Sequence, residues 1–103
     1  MYYLADNKSI DNIRQATLSG INIKGAVAPA VDYIKAEKPN FCAIVFAEPD
    51  GAGHNEGWES NEYYNTLNHL DNALQAIVDA VEEAGMLDET VFVLVSDHGG
   101  KDK

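Results

Sequence analysis

The chain has 103 residues, which corresponds to one domain or to part of one. It is 46% hydrophobic and 23% charged, so it can build a packed core and is not an intrinsically disordered chain. Seven basic against 17 acidic residues give a net charge of −10 at pH 7, which argues against binding to nucleic acid polymers or anionic membranes. Residues 39–100 contain no Lys or Arg, and so acidic a stretch either repels itself or holds cations.

Processing and membrane signals are absent from the sequence pattern. No apolar stretch reaches the ~18–20 residues that a transmembrane helix needs, so no membrane insertion is expected. No signal peptide is visible, and the compartment stays unassigned. The single cysteine, Cys42, excludes an internal disulfide framework and lies in an apolar run, where we interpret it as a small buried hydrophobe.

Two helices are predicted in the first third of the chain. Ser9 is a candidate N-cap for a short helix over residues 10–18. A second helix is predicted over residues 28–37, because apolar side chains recur at helical spacing on one face. Pro39 follows and is expected to stop it.

The remainder alternates between apolar runs and one long amphipathic segment. Residues 41–47 and 90–95 are continuous apolar runs, which is typical of strands covered on both faces in a parallel sheet. A polar, glycine-rich loop is predicted over residues 48–59. A helix of about 24 residues is predicted between Ser60 as N-cap and Gly85 as the residue after its end. It has an apolar seam at helical spacing, made of Tyr63, Leu67, Leu70, Leu74, Ile77 and Val81. On this helix His69 is interpreted as an exposed or capping histidine, and Asp71, on the seam, either reaches water or makes a structural hydrogen bond.

This element order predicts an α/β fold: a partial three-layer αβα domain with parallel strands, ordered helix, helix, strand, long helix, strand. Two strands cannot complete a doubly wound sheet, so residues 1–103 are interpreted as a single partial domain, a fragment of a larger sheet. An incomplete sheet edge would also favour self-association.

Four side chains that can bind metals follow the two predicted strands. Asp50 and His54 lie in the glycine-rich loop, and Asp97 and His98 directly follow residues 90–95. Because ligands bind beyond the carboxyl ends of parallel strands, we expect these four side chains to meet at one sheet edge. Two carboxylates and two imidazoles form a ligand set suited to zinc. Each Asp/His pair alone could equally belong to an ordinary polar turn. The interpretation as a metal site is favoured because both pairs follow strands of the same predicted crossover unit.

These residues resemble the alkaline phosphatase superfamily, and within it the type I phosphodiesterase/nucleotide pyrophosphatase branch. The resemblance rests on Pro-Asp-x-x-Gly-His-x-x-Gly at residues 49–57, a Tyr-containing long helix, and Ser-Asp-His-Gly at residues 96–99. It covers roughly residues 26–100, and the motif-bearing part of the domain is taken as 26–103. Relatives in this family are often extracytoplasmic.

The resemblance implies a segment of a two-zinc hydrolase that acts on phosphate-ester substrates. Asp50 and His54 would bind one Zn²⁺, and Asp97 and His98 the other. The family's Ser or Thr nucleophile, a further Asp ligand and a last His ligand find no match in this chain. We therefore expect the nucleophile to lie outside it, and the isolated chain to bind zinc weakly and to be inactive.

Two alternatives remain from the sequence. Sulfatases and phosphoglycerate mutases share the Asp-His half of the pattern, although the sequence around Cys42 does not match a sulfatase motif. A non-catalytic acidic α/β module, used for binding or assembly, would explain the charge and the apolar runs without any zinc chemistry.

Overall fold

The computed structural model describes residues 23–101, with side chains from residue 27 onward. Its elements are helix α1 (Ile23–Glu37), helix α2 (Asp50–Glu56), helix α3 (Asn61–Glu83) and a single 3₁₀ turn (Leu87–Glu89). The helix predicted over residues 10–18 lies outside the described residues. None of the helices within residues 23–101 is both long and apolar enough to cross a membrane.

Helix α3 confirms the long helix predicted from the apolar seam and its caps. The Ser60 hydroxyl accepts a hydrogen bond from the Tyr63 amide at 3.1 Å, which satisfies one of the unpaired donors at the helix start. At the other end Gly85 has a φ of 75°, and its amide donates to the Glu82 carbonyl at 2.9 Å. Glycine adopts this left-handed conformation without steric cost, so both helix ends are encoded locally.

The core lies between α1 and α3. Helix α1 ends at Glu37, as Pro39 predicted, but begins before the predicted start. An ion pair between Lys35 and Glu83 also joins the two helices, with Nζ and Oε2 2.6 Å apart. The hydrogen bond to Glu83, with the attraction of that carboxylate, raises the pKa of Lys35. Among the side chains of residues 27–101, the buried apolar ones all come from these two helices: Val27, Ile34, Leu70, Ala73, Ile77, Ala80 and Val81.

The predicted αβα fold with parallel strands is wrong for this chain. Residues 41–47 and 90–95 have no regular secondary structure, and no strand or sheet is present within residues 23–101. A continuous apolar run was interpreted as a strand covered on both faces, yet Phe41 and Val91 are each 86% exposed. Cys42 is exposed too, so its expected burial is also wrong.

The physical reason is that a strand needs a neighbouring backbone to bond with, and apolarity alone does not supply one. The seam of α3 is covered by α1, supplemented by the partly buried Ile44, Phe46 and Met86. The second run, 90–95, is not among the side chains packed against this core. Without a sheet there is also no sheet edge in residues 23–101 through which copies would pair.

A lysine in the second apolar run tests this correction. Val93 is 79% exposed, so Val93→Lys should change the free energy of unfolding by no more than about 0.5 kcal/mol. The same substitution at Val81, which is 5% exposed in the core, should cost several kcal/mol, since it buries an unpaired charge. Urea unfolding followed by circular dichroism would measure both. A comparable loss at the two positions would show that the 90–95 run is covered.

Candidate metal centre

Helix α2 places Asp50 and His54 on one face. They are four residues apart, and Asp50 Oδ1 lies 3.3 Å from His54 Nε2. The sequence predicted a loop here because glycine is a poor helix former. The helix forms because the Glu48 carboxylate accepts a hydrogen bond from the Ala52 amide at 2.9 Å and so satisfies a donor in the first turn.

Asp97 and His98 lie in the irregular segment that ends the described chain. The His98 amide donates to Asp97 Oδ1 at 3.0 Å, which fixes the Asp97 carboxylate beside the His98 backbone. His98 Nδ1 lies 2.8 Å from the Gly99 carbonyl oxygen. A carbonyl can only accept, so Nδ1 carries the proton in this contact, and in the neutral imidazole Nε2 then has the free lone pair.

The two couples meet. His98 Nε2 lies 3.4 Å from Asp50 Oδ1 and 3.5 Å from Asp97 Oδ2. The four side chains therefore form a continuous series of contacts in the order His54, Asp50, His98, Asp97, which we call the four-residue cluster. They come together across helix α2 and the segment after residue 90, and not across adjacent strand ends as the sequence suggested.

The surroundings of His98 favour its protonated form. The pKa of His98 is raised, first by its hydrogen bond to the Gly99 carbonyl and then by the negative charges of Asp97 and Asp50. Protonated Nε2 would donate toward these two carboxylates. A cation between them would do the same electrostatic work, because either positive group offsets the repulsion between two negative ones.

One oxygen atom of the cluster is buried without a hydrogen-bond donor bound to it. Asp50 Oδ1 is buried and makes no hydrogen bond, although 45% of the Asp50 side chain is exposed through its remaining atoms. Leaving such an atom unpaired costs free energy, since it has given up water without a replacement. The nitrogens of His54 and His98 lie near it, but not in hydrogen-bonding geometry.

The donor set fits zinc in chemistry and in spacing. Two donors on a tetrahedral Zn²⁺, with bonds of 2.0–2.2 Å, are about 3.3–3.6 Å apart. The three contacts of the four-residue cluster span 3.3–3.5 Å. They are pairwise, however: within the part of the chain that the structure describes, no three His, Cys, Asp or Glu side chains converge as a group that could hold a metal ion. The donor types and their pairwise distances therefore suit zinc, but the side chains do not form a closed coordination sphere of three or more ligands.

An aromatic row borders the cluster, and its functional importance was not evident in the sequence. The Trp58 ring stands edge-to-face against His54, with centroids 5.2 Å apart, and against Tyr63 at 5.7 Å. Tyr64 continues the row at 5.9 Å from Tyr63. Aromatic residues beside a polar loop are ordinarily packing residues, and the sequence pattern does not show that one of these rings meets the His54 imidazole.

Two polar residues of α3 considered from the sequence take no part in the cluster. His69 and Asp71 are both exposed. His69 was expected to be an exposed or capping histidine, and it is exposed. For Asp71, on the apolar seam, the structure shows the alternative in which the carboxylate reaches water.

Comparison with known proteins agrees with the motifs. The sequence model of the family described as type I phosphodiesterase / nucleotide pyrophosphatase matches residues 5–103. A rat ectonucleotide pyrophosphatase/phosphodiesterase family member 3 is 26% identical over 99 residues, which cover 93% of this chain and 11% of that protein. Human family member 1 is 32% identical over 74 residues, 72% of this chain and 8% of that protein.

A venom phosphodiesterase from Macrovipera lebetinus is 30% identical over 69 residues, 67% of this chain and 8% of that protein. The chain thus spans only about a tenth of the length of these curated relatives. No solved structure matches it. The family match extends over nearly the whole chain and includes both motifs that form the four-residue cluster, so this chain belongs to the type I phosphodiesterase/nucleotide pyrophosphatase family, as part of its domain.

Proposed function

We propose that this chain is the metal-binding segment of a two-zinc phosphodiesterase or phosphatase that hydrolyses phosphate esters. The observation that carries the proposal is the buried, unpaired Oδ1 of Asp50, which lies within 3.4 Å of imidazole nitrogens from both motifs. Asp50 and His54 hold one ion, and Asp97 and His98 hold the other. Zinc bound there would supply Lewis-acid stabilisation of the negative oxygens of a phosphoryl group.

His98 is prepared for this role by its own backbone. Histidines that bind metals typically donate their second ring N–H to a carbonyl or carboxylate, which fixes the tautomer and the ring orientation. The Nδ1 contact with the Gly99 carbonyl at 2.8 Å has this form, and it directs Nε2 toward the two carboxylates. The same ring can therefore exchange a proton for a metal ion without turning.

Net charge also favours a site that depends on cations. A phosphate ester is an anion, and the chain around the cluster carries no Lys or Arg between residues 39 and 100. An anionic substrate would be repelled by a protein with a net charge of −10 unless bound cations reverse the sign locally.

The hydroxyl groups of residues 27–101 are consistent with a nucleophile that lies outside this part of the chain. Every Ser or Thr hydroxyl within residues 27–101 donates a hydrogen bond to a backbone carbonyl, and none is hydrogen-bonded to a side chain of the four-residue cluster. The donors are Ser60, Thr66, Thr90 and Ser96. Such hydroxyls stabilise local structure, and an attacking alkoxide would need a nearby base or metal ion instead.

Zinc titration of the full chain by calorimetry tests the proposal. We expect weak binding by the wild type and a loss of about tenfold or more in affinity for both His54→Ala and Asp97→Ala. His69→Ala is the matched control, because His69 is an exposed histidine outside the cluster, and it should bind like the wild type.

Two results would count against the proposal. Equal zinc binding by the wild type, His54→Ala and Asp97→Ala would favour the non-catalytic acidic module. The same preparations, loaded with zinc, should show no turnover of bis(p-nitrophenyl) phosphate. Multiple turnovers would contradict the placement of the nucleophile outside the chain.

A further inference from the structure

The indole of Trp58 contacts the first motif and the residue that directly follows the second motif. Its ring packs against Gly53, directly before His54 in helix α2, and against Gly100, two residues after His98. It also stands edge-to-face against the His54 imidazole, at 5.2 Å between centroids and 70° between planes. One side chain from outside both couples therefore contacts the backbone of the first motif, the backbone directly after the second motif and one of the four candidate ligands.

Glycine is required at both contact points. A Cβ added to Gly53 or to Gly100 would overlap atoms of the Trp58 ring at separations below 3.0 Å, which real Cβ atoms do not show. At Gly99, by contrast, an added Cβ would meet nothing within 4 Å. The backbone of both motifs can approach the indole only because these two positions lack a side chain.

We propose that Trp58 is a positioning residue that sets the distance between the couple Asp50/His54 and the couple Asp97/His98. The segment after residue 90 has no helix or strand to fix it, and residues 91–100 are all exposed. The flat indole supplies a rigid spacer between this segment and α2. Its edge contact also holds the His54 ring, whose orientation decides where Nε2 points. This inference rests on the proposed metal-binding function.

Trp58 is the only tryptophan of the chain, so its fluorescence reports on this contact alone. In Gly100→Ala the new methyl group should push the indole out, and the emission maximum should shift to longer wavelength. Gly99→Ala keeps the backbone carbonyl and adds the same methyl group in open space, so its emission should match the wild type. This comparison needs no metal and tests the geometry by itself.

Zinc affinity tests the positioning role. Trp58→Ala and Gly100→Ala should each lower the affinity by about 10–100-fold, as is typical when a group that orients metal ligands is lost. Trp58→Phe should restore part of it, because a smaller ring still separates the motifs. In a double-mutant cycle, Gly100→Ala should have no further effect in the Trp58→Ala background, since the methyl group then meets no ring.

The outcomes separate this inference from the proposed function. Wild-type zinc affinity in Trp58→Ala, with the wild type binding zinc, would overturn the positioning role and leave the proposed function standing. Unchanged emission in Gly100→Ala would overturn it as well. Absence of zinc binding by the wild type would overturn both. Circular dichroism at 222 nm confirms that each variant keeps its helices, so a loss of affinity in a folded variant counts as support.

Discussion

Replacing Asp50 by asparagine should remove most of the zinc affinity and leave the metal-free chain at least as stable as the wild type. The affinity falls because Asn keeps the shape of the side chain but lacks the negative charge with which a carboxylate binds Zn²⁺. A drop of about 100-fold or more is expected, since even the loss of a group behind a ligand costs 10–100-fold. Calorimetric titration with Zn²⁺ measures it.

The expected change in stability has the opposite sign. In the metal-free chain Asp50 Oδ1 is buried without a hydrogen bond, an arrangement that costs about 1–3 kcal/mol for an unpaired polar group. Asn removes the negative charge from this buried oxygen, although it also loses the favourable interaction of an acidic residue with the first turn of α2, worth about 0.3–1 kcal/mol. Easier burial of the uncharged oxygen outweighs the lost helix interaction, so the unfolding midpoint of Asp50→Asn in urea with EDTA should be unchanged or raised.

This pair of measurements distinguishes a metal ligand from an ion-pair residue. If Asp50 served only to pair with His54 and His98, then Asp50→Asn would destabilise the metal-free chain and leave zinc binding unchanged. Asp71→Asn, at an exposed position of α3, is the matched control and should alter neither quantity. Destabilisation of the metal-free chain would contradict the proposed role of Asp50.

The parts of the fold that the sequence predicted correctly are those with local causes. Helix α3 is marked by a seam of apolar residues, by Ser60 at its start and by Gly85 after its end, and each of these acts within one turn. The end of α1 follows in the same way from Pro39. Helix α2 was missed because its stabilising contact comes from Glu48, outside the helix, and glycine content argued against it.

The wrong predictions are those that depend on contacts between residues far apart in the chain. The runs 41–47 and 90–95 have the composition of buried strands, but composition cannot show whether a second surface is present, and here the side chains are largely exposed. The meeting of the two couples was expected for the wrong reason. The sequence analysis placed the two couples together at a sheet edge. In the structure they meet where the segment after residue 90 approaches α2 and the indole of Trp58. A contact between a tryptophan and two distant glycines has no periodic signature, so it could only be seen in three dimensions.

Truncating Ile77 to alanine should destabilise the chain by about 2–4 kcal/mol, the second large effect expected. Ile77 is 8% exposed in the core between α1 and α3, where the lost methyl groups leave a cavity. Domains of this size hold only about 5–15 kcal/mol in total, so the thermal midpoint should fall by on the order of 10 °C or more. Thermal unfolding followed at 222 nm measures the change.

Leu67→Ala is the matched control on the same helix. Leu67 belongs to the apolar seam that the sequence identified, but it is 38% exposed, so truncation should cost less than about 1 kcal/mol. Equal costs at the two positions would show that the whole seam is buried, as a packed sheet would require. Ile77 lies 13 positions beyond Tyr64, the last ring of the aromatic row, which is about 20 Å along the helix. Zinc affinity of the folded Ile77→Ala chain should therefore stay at the wild-type value, because the core holds α1 to α3 while Trp58 and the four-residue cluster assemble at the other end.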